Sequence, residues 1–283
     1  MNGDQPTVTD EPNFGRSLAE RLANRVTINV PGSGANEKLH RLIEAVNADD
    51  DLYGLWTAGN VNAVERLGMT DHGPVHVKIV MNIADKLFRL LTEHGVQPAA
   101  VTNYGMTLDD AEVIVTLGAL LHDVGMSVHR ADHETYSIFI ADRKAAELLA
   151  PLYDRITATI VRSEVLHAII AHRSGGRPLT LEAGIVRIAD ALDMAKGRSR
   201  IPFSGGSMSI HSVSAAAIEA VHIEAGESRP VRLRIELSNS AGIFQLDQLF
   251  REKLSGSGLE AYVELEGEFA GEEEKRIVER FRL

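Results

Sequence analysis

Between Glu37 and Arg200 the apolar positions recur at helical spacing, with few strand signals. One helix is expected to follow Gly73-Pro74 and run to His94, with Pro at a favoured first position and Gly95 after the end. Its stripe is Val80, Ile83, Leu87 and Leu90, and His76 stands at the head of that stripe. A second opens at Thr107-Leu-Asp-Asp110, a capping-box variant, and buries Val113, Leu117, Leu120 and Leu121. Ending it at Gly125 puts His122 and Asp123 in its last turn. A third begins near Asp132 with His133 in its first turn, a fourth spans about Ile156 to His172 and stops at Ser174-Gly175-Gly176, and a fifth from Leu181 to about Ala195 carries Asp190.

After Pro202 the period changes. Met208–His211, Ala220–Glu224, Val231–Leu237 and Ala261–Glu266 have strand character, with an amphipathic helix from Ile243 to Leu254 between the last two. Val26–Val30 is a further candidate strand that could join the same sheet. The expected fold is therefore mainly α, a helical bundle followed by a small α+β domain. The expected boundaries are an N-terminal arm at 1–24, with a short helix near Ser17–Ala23, a helical domain at 25–202 and the α+β domain at 203–283.

Composition narrows the function. The 283 residues carry 29 Lys and Arg against 40 Asp and Glu, a formal charge of −11, which makes the chain a poor general nucleic-acid binder. There is no cysteine, so disulfides, thiolate nucleophiles, iron–sulfur clusters and Cys-based zinc sites are excluded. The first residues lack a basic start and an apolar stretch, and the most apolar run, Val113–Leu121, is too short to span a membrane. The chain reads as cytoplasmic. The metal-capable side chains that remain are carboxylates and 11 histidines.

His122 and Asp123, adjacent at the end of an apolar helix, are costly to bury unless paired or bound to a cation. Imidazole with carboxylate suits Mn, Fe, Zn or Ni. His76 upstream and Asp190 downstream also lie on apolar faces. These four, in the contexts LLHDVG and RIADALD, resemble the H…HD…D pattern of the HD superfamily of metal-dependent phosphohydrolases over roughly Gly68 to Arg200. The resemblance implies a divalent metal on His76, His122, Asp123 and Asp190. His133, opening a helix as HETYS, and His172, in AHRSGGRP, are similar to the extra histidines of binuclear members such as the HD-GYP proteins, which implies two ions (Mn, Fe, Ni, Zn or Mg). His167 competes with His172, but five helical residues turn through about 140°, so only one should face the site; His172, beside the Gly turn, is preferred. His129 and His72 are weaker candidates, and His40, His94, His211 and His222 read as bland.

Against the HD-GYP pattern, Met126 replaces a Lys, His172 has no His neighbour and Gly-Arg-Pro replaces the GYP triplet, so a cyclic dinucleotide substrate is not implied. The resemblance implies hydrolysis of a small phosphorylated substrate such as a nucleotide, with Asp123 as the catalytic residue that orients water or takes its proton. Arg173, Lys196, Arg198 and Arg200 are the candidate phosphate-binding residues. Arg187, three residues before Asp190, is expected to pair on the helix surface. The same ligand pattern resembles that of HD-type di-iron oxygenases, and a nucleotide-sensing regulator is a third reading, with the C-terminal domain as effector or homo-oligomer surface.

Overall fold

The computed structural model of the chain describes residues 17–23, 25–194, 217–247, 251–269 and 280–282. Lys196, Arg198 and Arg200, and the strand expected at Met208–His211, lie outside the described residues. The helical part comprises α1 (Leu18–Ala23), α2 (Glu37–Ala48), α3 (Asp50–Asn60), α4 (Pro74–Glu93), α5 (Ala99–Tyr104), α6 (Leu108–Leu121), α7 (His133–Leu149), α8 (Arg155–Ala171) and α9 (Leu181–Leu192). None of the described helices is long and apolar enough to cross a membrane.

Every residue of α6 from Asp110 to Leu121 is buried. A helix apolar on all sides belongs at the centre of a bundle, and α4, α8 and α9 pack around it. Gly118 makes the packing close: a Cβ there would stand 3.2 Å from the Ala168 methyl and 3.3 Å from Val186 Cγ2. The helix starts as the capping box predicts, with Thr107 accepting from the Asp110 N–H and the Asp110 carboxylate accepting from that of Thr107. It ends earlier than expected, at Leu121, and the chain continues as a 3₁₀ turn over Val124–Ser127. Trp56 Nε1–H donates to the Leu120 carbonyl at 3.1 Å, satisfying an acceptor left open by that ending. His122 and Asp123 therefore occupy the break between two helical segments.

The candidate strand at 26–30 is not a strand. The Asn47 side chain accepts from the Ile28 N–H at 2.9 Å and donates to its carbonyl at 2.8 Å. One amide of α2 thus takes the pairing role of a neighbouring strand, while Ile28 and Val30 are buried.

The C-terminal part contains β1 (Ile218–Ala225), β2 (Val231–Leu237), α10 (Ala241–Gln245), α11 (Arg251–Leu254), β3 (Val263–Phe269) and β4 (Arg280–Arg282). The helix expected over 243–254 is helical at 241–247 and at 251–254, residues 248–250 lying outside the described residues. The sheet order is β1-β2-β3-β4, with β2 and β3 parallel and the outer pairs antiparallel. Alternate residues of β2, Val231, Leu233, Ile235 and Leu237, are buried. That face meets α4, and its residues belong to the same hydrophobic cluster as the bundle. A second junction runs along α9. Gly184 lets the Ser257 carbonyl approach where a Cβ would be 2.3 Å away, which brings the end of α11 over the metal-capable face of α9. The chain is thus mainly α with a small α+β part, and both parts reach the site described next.

Candidate metal centre

The turn after α6 is the base of the site. Gly125 is required there by close approach: a Cβ would lie 2.0 Å from the His133 carbonyl oxygen and 2.4 Å from the Ser137 nitrogen. Its N–H instead donates to Ser137 Oγ at 2.8 Å. The start of α7 is thereby held against the turn, and His133 against Asp123. α4 brings His76, α8 ends with His172 as its cap, and α9 brings Asp190.

Five helix ends thus deliver six side chains to one place, in two lobes that share Asp123. In the first lobe His76 Nε2 and His122 Nε2 are 3.2 Å apart, and each is 3.4 Å from Asp123 Oδ2. Asp190 Oδ1 lies 3.8 Å from both nitrogens. In the second lobe Asp123 Oδ1 lies 3.1 Å from His133 Nε2 and 3.8 Å from His172 Nε2. His122 is fully buried, His76, Asp123, His133 and His172 nearly so, and Asp190 is the most open.

The outer nitrogens say what this convergence demands. His122 Nδ1 is 2.8 Å from the Ala119 carbonyl, His172 Nδ1 is 2.6 Å from that of Ile169, and His76 Nδ1 is 2.6 Å from Asp193 Oδ2. An acceptor at Nδ1 places the ring proton there and leaves Nε2 as a lone pair. His133 Nδ1 has the Arg130 carbonyl and Glu134 Oε2 at 3.1 Å and Arg130 Nη1 at 2.8 Å. With Nδ1 protonated in this way, the Nε2 lone pairs of His76, His122 and His172 converge with the oxygens of Asp123 and Asp190, a donor set suited to a cation. Ligands on one small divalent ion, each about 2.0–2.2 Å from it, stand roughly 3–3.5 Å apart, which the 3.2–3.4 Å spacings among His76, His122 and Asp123 match, with Asp190 standing wider at 3.8 Å.

A proton answers the same demand for positive charge among these groups. Burial opposes charge on His76, but hydrogen bonds to Asp123 and Asp193 outweigh it and push its pKa up to about 10. Burial, reinforced by His122, drives His172 down to about 3, keeping it a neutral donor of electron pairs. Burial would raise Asp123 and Asp190, yet neighbouring cationic groups hold both carboxyls well below the usual range, His122 foremost for Asp123 and Lys253 for Asp190.

The lobes open on a cavity of about 790 Å³, walled by His72, Asp123, Arg130, His133, Glu134, His172, the Ser174–Arg177 turn, Arg187, Asp190 and α11. Arg173 is exposed and contributes only its carbonyl, which accepts from Arg187. Arg187 is buried rather than paired on a surface: its guanidinium donates to the carbonyls of Ala171, Arg173, Gly176, Glu252 and Lys253 at 2.7–3.3 Å. His167 faces away and accepts from the Leu179 N–H at 2.9 Å, while the His72 ring lies beside that of His76, tilted by 40° with ring centres 5.3 Å apart. His129 Nδ1 accepts from the Ala131 N–H outside the cluster. Asp193, Glu134 and Lys253 are site neighbours that sequence reasoning missed. For Asp193 the signal was present, since i+3 from Asp190 shares a helix face.

A buried cluster of imidazoles and carboxylates at these helix ends fits the metal site of an HD domain, and residues 74–195 match the HD domain family. The chain belongs to that family. It is 42% identical over 224 residues to an uncharacterized protein of Methanocaldococcus jannaschii, a match that covers 79% of this chain and 86% of the relative.

Proposed function

We propose that the protein is a metal-dependent phosphohydrolase acting on a small phosphate ester such as a nucleotide. His76, His122, Asp123 and Asp190 would hold one divalent ion, and Asp123, His133 and His172 a second. One observation carries this reading: the two oxygens of Asp123 face different histidine pairs, Oδ2 toward His76 and His122, Oδ1 toward His133 and His172. Ions bound there supply Lewis acidity toward a phosphoryl oxygen and lower the pKa of a water.

The chain's own groups do the rest. Asp193 and the Ala119 and Ile169 carbonyls fix the rings of His76, His122 and His172, so that each presents Nε2 without reorganising. Asp123, between the lobes, would orient the water or take its proton. Arg130, Arg177 and Lys253 on the cavity wall supply positive charge where a phosphate ester would enter. These three cations, on a wall that also carries Glu134 and Glu252, favour an anionic substrate and so hydrolysis over the oxygenase reading.

The experiment is a phosphate-release screen over nucleotides with added Mn, Fe, Ni, Zn or Mg. Metal-dependent release by the native protein, abolished in a folded Asp123→Ala variant, is the expected result. Near-normal release by that variant would reject the site.

A further inference from the structure

Lys253 lies on α11, in the C-terminal part of the chain, more than sixty residues beyond the last candidate metal ligand. Its ammonium nevertheless reaches both lobes of the cluster. Nζ donates to the His172 carbonyl at 2.9 Å and to Asp190 Oδ2 at 3.3 Å. The contact uses the outer oxygen of Asp190; Oδ1 is the one turned toward His76 and His122. Lys253 and a cation in the first lobe therefore occupy different oxygens of one carboxylate and do not compete for the same lone pairs. An ammonium has three donors and no acceptor. Two are directed at His172 and Asp190, and one remains on a side chain that lines the cavity.

The backbone under Lys253 is fixed. Arg187 Nε–H donates to the Lys253 carbonyl at 2.9 Å and its Nη2–H to that of Glu252 at 3.0 Å, while Nη1 holds Gly176 and Arg173 in the turn after His172. A single buried guanidinium ties the Gly turn, α9 and α11 together. Ser255 and Gly256, just beyond, complete the same wall of the cavity.

We infer that Lys253 binds the anionic phosphate group of the substrate, so that the C-terminal part contributes a substrate-binding residue to the metal centre and Arg187 positions it. The inference rests on the phosphohydrolase reading for its substrate class, but anion binding can be measured without turnover. Inorganic phosphate is titrated calorimetrically into the full-length, metal-loaded protein, with metal content and thermal unfolding recorded for each variant. The native chain is expected to bind phosphate. Lys253→Met and Lys253→Gln should keep native metal content and bind it at least tenfold more weakly, and Lys253→Arg should recover most of the loss because it keeps the charge. Phosphate binding that needs Lys253 in a protein that hydrolyses nothing would uphold this inference and sink the hydrolase reading. Undiminished phosphate binding by Lys253→Met, or no phosphate binding by a native chain that does hydrolyse phosphate esters, would overturn the inference alone. Loss of metal in step with phosphate would also overturn it, since Lys253 would then serve only to hold Asp190.

Discussion

Replacing Arg187 by Met removes the tie between the Gly turn, α9 and α11, and its cost can be worked from the structure. Arg187 is 3% exposed, and no carboxylate within salt-bridge distance is described for it, so its charge rests on five carbonyl oxygens. Hydrogen bonds from a charged group are worth about 1.5–3 kcal/mol each, and a buried acceptor left unpaired costs about 1–3 kcal/mol. Against that, the variant no longer desolvates a guanidinium, a cost that holds the pKa of Arg187 below its ordinary value despite Asp190 nearby. Only the contact to the Ala171 carbonyl is fully buried; the other four are near enough to the cavity for water to replace part of the loss. The net expectation is about 3 kcal/mol of destabilisation, or a fall in Tm of roughly 6–12 °C for a chain of this size. Arg187→Lys, with one ammonium for a five-donor fork, should recover less than half of it. The assay is thermal unfolding followed by circular dichroism. A Tm within 2 °C of the native value for Arg187→Met would refute the reasoning, because it would mean the five contacts merely repay the burial of the charge.

Two further outcomes follow from other parts of the molecule. Burial raises the Asp85 carboxyl to about 6, Glu112 adding to the rise and Arg89 opposing it. Below the ordinary carboxyl value of 3.8 it is protonated folded or unfolded; as pH climbs toward 6 only the unfolded chain ionises, so this group's stability is lost across that window. Asp85→Asn should therefore gain relative to the native protein between pH 4 and 6 and stay level above, because Glu112 still pairs with Arg89. Urea midpoints at several pH values check this, and a difference independent of pH would contradict it. His172→Ala should lose about one of two ions by metal analysis, whereas His167→Ala, which surrenders only the bond from the Leu179 N–H, should keep both; the reverse order would show that the wrong histidine was chosen.

Much of this molecule was legible because its helices carry polar residues where their apolar faces should be unbroken. His76 on the stripe of α4 and Asp190 on α9 are costly in a core unless something charged meets them, and the fold brings the two within 3.8 Å of each other. The reading of Arg187 failed for a physical reason: it assumed an exposed face for α9, yet Glu182 through Ala189 are buried without a gap. The segment at 26–30 alternates like a strand, but a side chain, Asn47, takes its backbone groups, and single residues doing the work of an element leave no periodic trace. Lys253 was missed although its helix was expected over 243–254, because its place over Asp190 depends on Gly184 admitting the Ser257 carbonyl. Local pattern reveals what each helix presents; it does not reveal which distant loop closes over it.

The central claim is that Asp123 joins two metal positions, and the most direct test is the number of divalent ions per chain. Metal analysis of the protein, reconstituted with Mn, Fe, Ni or Zn and freed of loosely bound ion, should give two per native chain and less than one for a folded Asp123→Ala variant. A native stoichiometry of one, or an Asp123→Ala variant that still holds two, would contradict the shared carboxylate and the two-lobed site built on it.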